Sequence, residues 1–226
     1  MRSELFSAEN LEKESAQPGM WLQNSKMLKI RLHGEALARV GSMVAYQGQV
    51  QFQALGSGGL GKFLKQKLTG EGVPLMKLTG SGDVFLAEMA KDVHVIDLEP
   101  GDALSINGSS VLAFEPTLQY DIKLVGGTGM AASGLFNCIF TGHGRIAITT
   151  KGMPVVLNVD APTYVDPQAI VCWSANLKTG YHRAEQIGLG TLLGRRTGEA
   201  FTMSFAGQGF VVVQPSEEPP TPGSGQ

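Results

Sequence analysis

Charge is what this chain has least of. Asp, Glu, Lys and Arg make up only 17% of its 226 residues, with 20 acidic side chains against 18 basic ones. At a net charge of −2 and a pI near 6.1, no basic field is available to hold a phosphate backbone, which argues against a nucleic-acid partner. Cysteine is nearly absent. Cys138 and Cys172 are too few for a disulfide framework and sit inside apolar, strand-like runs, where two reduced core thiols are expected. No apolar run approaches the ~20 residues of a membrane helix. The opening MRSELFSAENLEKES lacks an apolar segment and carries Glu4, Glu9, Glu12 and Glu14. Neither a secretory signal nor an Arg-rich transit peptide is expected there, and the expected location is cytoplasmic.

Glycine is what is plentiful, at 30 residues. With so little charge, that favours a turn-rich all-β protein over a helical bundle. A chain of this length removes roughly 70–75% of its unfolded surface from water if it folds as one unit, enough for a core without staples. Residues 1–19 read as a polar, loosely ordered arm, after which Trp21 and Leu22 are the first pair expected to dock on a core. Leu28, Ile30 and Leu32 alternate with Lys29 and Arg31, the pattern of a strand with one wet face. A turn is expected at His33–Gly34. Residues 216–226 carry no core-forming side chain and are expected to be disordered.

One plan recurs. Residues 27–46, 93–114 and 153–173 each run through a strand, a turn, a short middle piece and a four-residue apolar segment ending in Tyr46, Phe114 or Trp173. These aromatics lie 68 and 59 positions apart, and Gly-x-Gly steps begin at Gly80, Gly142 and Gly207. A self-similarity of about 60 residues marks an internally repeated fold. The expectation is a single β domain over 20–215, made of three pseudo-threefold repeats. Two are contiguous, 78–124 and 138–182; the third is split between the ends, 205–215 with 27–55, so that both termini lie adjacent and sheet edges are closed. The best-formed copy is the stretch from Phe140 to Trp173. Gly-rich connectors at 56–61, 126–134 and 188–198 follow the strands.

Chemistry is scarce. GSGGLGKF at 56–63 has phosphate-loop spacing with Lys62 in the lysine position, but Phe63 stands where magnesium needs a hydroxyl, so a connector is expected. Glu99 to Ala103 resembles a cupin turn, yet His33, His94, His143 and His182 form no closely spaced pair, and no metal site is expected. His143 falls at a turn tip where the other copies have Ser81 and Gln208. His94 alternates with Val93 and Val95 on a strand and is expected to be solvated or hydrogen-bonded. Asp97, Glu99 and Asp102 read as a solvated loop. Neither cysteine has a neighbour that would lower its pKa, and no nucleophile elbow occurs. The expected sites are therefore none: no catalytic, cofactor or metal residue, and no enzyme. Lysines 62, 65 and 67 in LGKFLKQKL offer at most weak peripheral contact with an anionic membrane, and Arg195–Arg196 is the other basic cluster.

The GSMVAY ending at Tyr46, the Thr-Gly-Glu triplets at Thr69 and Thr197, IVCWS from Ile170 and the closing FAGQGFVVVQPSE resemble the altered-inheritance-of-mitochondria protein 24 family, over about residues 20–217. The resemblance implies a fold like the tryptophan RNA-binding attenuation protein (TRAP-like), a β-sandwich close to the double-stranded β-helix. It implies a link, in fungi, to mitochondrial inner-membrane organisation, and it brings no catalytic residue set. The resulting expectation is a non-enzymatic β-scaffold that forms homo-oligomers and meets a protein partner. The alternative is a binder of a small metabolite or lipid head group at the Gly-rich rim.

Overall fold

A computed structural model describes residues 2–14, 17–55, 73–124, 136–182 and 202–216. Apart from two short 3-10 turns, the described elements are strands. They are β1 (Gly19–Asn24), β2 (Met27–Arg39), β3 (Met43–Leu55), β4 (Leu75–Leu86), β5 (Asp92–Leu98), β6 (Ala103–Asn107), β7 (Val111–Phe114) and β8 (Leu118–Leu124). The second half holds β9 (Phe136–Gly142), β10 (Gly144–Thr150), β11 (Val155–Val159), β12 (Thr163–Val165), β13 (Ile170–Ser174), β14 (Lys178–His182), β15 (Thr202–Ala206) and β16 (Gly209–Val213). They form three antiparallel sheets. One runs β3-β4-β2-β7-β10-β5 with β1 paired to β2, the second runs β11-β16-β13-β6-β9-β8, and the third runs β12-β15-β14. Among the described residues no helix is long and apolar enough to cross a membrane.

The pairing registers repeat. Leu32, Leu98 and Val159 stand opposite Gly82, Gly144 and Gly209. Two residues beyond each glycine, Val84, Ile146 and Val211 stand opposite Tyr46, Phe114 and Trp173. Each of these last ladders then slips by one residue, between Met43 and Ala45, at Ala147/Ile148, and between Ile170 and Cys172. A β-bulge spends an extra residue on one strand and bends it, so these three matching bulges re-aim the same segment three times.

FVVVQ at the C-terminal end pairs with β11 and β13, while Met27–Leu32 pairs with β4, so the two ends enter different sheets. The turn expected at His33–Gly34 does not occur. Gly34, at φ +111°, lets β2 run on through Arg39, and β4 likewise passes through Gly80–Gly82 unbroken. The arm is better ordered than its polarity suggests. Gln23 donates to Leu11 O at 2.9 Å and accepts from Lys13 N at 3.0 Å. Met20, not Trp21 or Leu22, is the side chain that enters the core.

Three apolar clusters fill the interior. In the central one Phe114 and Phe140 meet edge to face with centroids 5.0 Å apart, and both are fully buried. Such a pair adds ~1 kcal/mol to its area burial.

Gly82 tests how tightly the long ladder is fixed. A Cβ on Gly82 would run into the carbonyl oxygen of Gln47, and one on Gly80 into that of Gln49. Gly34 also has positive φ, but open space lies around it. Gly82→Ala is expected to cost at least ~3 kcal/mol and Gly34→Ala about 1 kcal/mol, by strain alone, as read from urea unfolding midpoints.

Candidate functional site

Two inter-unit joins are made. Phe114 and Ala113 of β7 stand opposite Leu37 and Ala38 of β2, and Trp173 and Cys172 of β13 stand opposite Ser105 and Ile106 of β6. Among the described residues Met43 to Tyr46, the segment with the matching register, begins β3, and β3 ends its sheet. Among the described residues Thr163 to Val165, which answers by register to the segments of β2 and β6 just named, forms β12, and β12 ends its own sheet. Among the described residues no ladder joins them. Burial follows from that. Val111 to Phe114 and Ile170 to Trp173 are buried at every position, whereas Met43 to Tyr46 is exposed at every position. Val44 is 54% exposed, Tyr46 49% and, across the gap in the pattern, Tyr164 55%. Exposed apolar residues on a sheet edge are the kind of surface that other strands can pair with.

A second feature lies where the arm covers β1 and β2. Lys29, assigned by alternation to a wet face, is buried instead. Its Nζ donates to Glu12 Oε1 at 2.6 Å and to Lys13 O at 2.8 Å, and it lies 3.2 Å from Asp83 Oδ2 and 5.7 Å from the Phe85 ring centre. Burial is the largest influence and lowers the Lys29 pKa, but hydrogen bonds to and charges on Glu12 and Asp83 together outweigh it and raise the pKa above its ordinary value. Beside it a cavity of about 490 Å³ is lined by Lys13, Glu14, Gln17, Trp21, Leu22 and Gln23. A third polar cluster gathers on Glu88, 3.6 Å from Lys91, 3.7 Å from Arg39 and 3.2 Å from Thr149 Oγ1. It ties the β4–β5 turn to β2 and β10, a structural role. Sequence reasoning missed both carboxylate clusters, since nothing local marks Asp83 as the partner of Lys29 or Glu88 as the partner of Arg39, each on a strand far back in the chain.

The residues weighed for chemistry are scattered. His143 is exposed at the bend between β9 and β10 and Gln208 at the one between β15 and β16, whereas Ser81, also exposed, lies within the unbroken β4 and not at a turn tip. His94 Nε2 lies 2.9 Å from Thr150 Oγ1, and burial lowers its pKa against the opposing charge of Asp92. His33 lies on β2 and His182 ends β14. Asp97 accepts from Arg145 Nε at 2.8 Å, while Asp102 accepts from Glu99 N across its own turn. Cys138 and Cys172 are both free and stand on either side of Ile106. Two strand spacings, ~9.6 Å, separate them, too far for a disulfide. Burial pushes their thiols up to about 11 and about 12, so neither is a ready nucleophile. Among the described residues no three His, Cys, Asp or Glu side chains are grouped to hold a metal. The Gly-rich connectors with lysines 62, 65 and 67, and Arg195–Arg196, lie outside the described residues.

The sequence model described as mitochondrial biogenesis AIM24 matches residues 22–216, from within β1 to just past β16. The chain belongs to the AIM24 family. That family is linked by its description to mitochondrial biogenesis. Among solved structures, this AIM24-family chain is similar to the crystal structure of protein SPYM3_0169 from Streptococcus pyogenes. The identity is 20% and the TM-score 0.68, covering 89% of this chain and 94% of that one. At that identity the likeness establishes the fold alone. No curated protein matches the chain.

Removing the Lys29 charge while keeping its bulk strands a half-covered carboxylate pair. Lys29→Met is expected to lower stability by about 3 kcal/mol. The raised pKa fixes the pH dependence: the contribution is complete below the ordinary lysine value of 10.5 and disappears as pH climbs through the higher folded value. Urea titrations at pH 7 and pH 11 check both, and the gap between parent and variant should narrow at the higher pH.

Proposed function

We propose that this AIM24-family chain is a non-enzymatic β-scaffold, built from three copies of one unit, that self-associates and organises a partner complex. The observation that carries the reading is the contrast between equivalent segments, two buried in joins within the chain and the third, Met43 to Tyr46, exposed. Contiguous exposed apolar surface on a sheet edge is characteristic of interfaces. The matching registers and bulges support the three-copy description, as in the TRAP-like arrangement expected from sequence. Light scattering of the full chain is expected to give a mass above that of one chain, and affinity capture of native complexes to retrieve defined partners. A strictly monomeric protein that retrieves none overturns the reading.

A second reading, a binder of a small metabolite or lipid head group, draws support from the cavity beside Lys29. Its volume of about 490 Å³ falls within the usual range of small-molecule sites. The ligand would have to exploit Trp21 and Gln23, because Lys29 is already engaged by Glu12 and Asp83. Thermal-shift screening against metabolites and soluble head groups tests it. A stabilising hit abolished by Trp21→Ala supports it, and silence across the panel rejects it.

A further inference from the structure

What holds the N-terminal arm on β1 and β2 is not what usually holds a cover. Its large apolar side chains, Leu5, Phe6 and Leu11, are 68%, 50% and 52% exposed, so the arm buries little apolar surface of its own. Its hold is polar and runs through three consecutive residues. The Gln23 side chain donates to Leu11 O at 2.9 Å and accepts from Lys13 N at 3.0 Å. It thus bonds the backbone on both sides of Glu12, as a neighbouring strand would. Between those two bonds the Glu12 carboxylate accepts from Lys29 Nζ at 2.6 Å, and Lys13 O accepts from the same atom at 2.8 Å.

The two gripping side chains are built into the body of the protein. Gln23 is 7% exposed and the Lys29 side chain 3%. Lys29 stands opposite Trp21 on β1 and Phe85 on β4, with Nζ 5.7 Å from the Phe85 ring centre. Among the described residues the body supplies Nζ with Asp83 Oδ2, at 3.2 Å; its two shorter contacts come from the arm. A buried ammonium with three donors needs acceptors, and this one is completed by a carboxylate and a main-chain carbonyl. A side-chain amide that grips backbone is indifferent to the side chains it passes, whereas the ammonium selects an anion. Main-chain bonds that hold and one side chain that discriminates are how extended peptides are recognised.

We propose that Gln23 and Lys29 form a docking site for an extended acidic segment of a partner protein, and that Leu11 to Lys13 is the resident occupant that such a segment displaces. The proposal rests on the partner half of the scaffold reading and adds the place and the chemistry of contact. The arm can leave without exposing Leu5, Phe6 or Leu11 further, because all three already face water. Being tethered, it competes at an effective concentration of roughly millimolar order, so a partner segment must bring contacts beyond these three residues.

Two measurements on the full-length chain test it. The first is hydrogen exchange on the parent and needs no substitution. The Lys13 amide, bonded to Gln23, is expected to exchange at least about a hundredfold faster than the amides of Leu28 and Ile30, corrected for intrinsic rates, because the arm opens alone. Those two lie on a strand paired on both sides. Exchange as slow as theirs makes the arm part of the fold and overturns the proposal. In the second, a peptide of residues 8–14 with a photoreactive leucine at position 11 is irradiated with the Glu12→Ala chain, whose arm has lost its ion pair. Crosslinking around Gln23 and Lys29 is expected to exceed that of the parent at least about tenfold, and to fall about as far when the peptide carries Glu12→Gln, the loss of one charge-assisted hydrogen bond. Equal capture of the two peptides, or capture no better than by the parent, overturns the proposal. So does a peptide that fails where the arm of a second full-length chain, carrying the same photoreactive residue, succeeds, since the occupant is then another copy. None of these failures alters the mass read by light scattering or the partners retrieved from native complexes, so the site can fall while the scaffold reading stands.

Discussion

The close approach of Gly80 and Gly82 to the carbonyls of Gln49 and Gln47 is the constraint on which the rest of the structure depends. A strand that pairs on both sides must keep two registers at once. In β4, one ladder reaches from Leu75 to Leu86 against β2 and the other spans the same residues against β3. A one-residue slip in either would turn every core side chain outward and bring a side chain against those carbonyls. The glycines therefore hold register by exclusion. In the other two units the chain breaks at the same place, between β9 and β10 and between β15 and β16, and the registers on either side are still kept.

From that fixed point the bulges follow. Extra residues at Val44, Leu112 and Val171 bend β3, β7 and β13 just before their aromatics. The bend carries Phe114 and Trp173 into joins with β2 and β6, where they lose contact with water. Tyr46 has the same approach and, among the described residues, no strand to meet. Its ring lies edge to face with Phe52 on its own strand, centroids 5.2 Å apart. A tyrosine tolerates that position better than a tryptophan or phenylalanine, since its hydroxyl keeps a solvent partner while the ring stays apolar.

Much of this was legible in the sequence, and the failures have physical causes. Aromatic spacing and Gly-x-Gly steps pointed to segments whose registers match, because aromatics and glycines mark packing and close approach whatever surrounds them. The partners of the Gly-x-Gly steps, Leu32, Leu98 and Val159, were not legible, because such a step looks alike whatever strand it faces. Lys29 was assigned to solvent because alternation reports which face a residue takes and not what covers that face. The cover is the arm, held by Gln23 and Glu12, which polarity alone marked as loose. His143 and the cysteines were set aside because their counterparts are Ser81 and Gln208, and Ala45 and Ala113. A position that accepts unrelated side chains is constrained by shape, not by chemistry.

The same reasoning explains why the open edge could not be seen beforehand. MVAY, VLAF and IVCW are nearly interchangeable as sequence, four apolar residues ending in an aromatic, and all three predict a buried strand. The difference lies in what stands opposite. β2 and β6 present Ala36 to Ala38 and Leu104 to Ile106, whereas β12 presents Thr163 to Val165. The apolar, uncharged character of Met43 to Tyr46 distinguishes it from an edge blunted with lysine or proline.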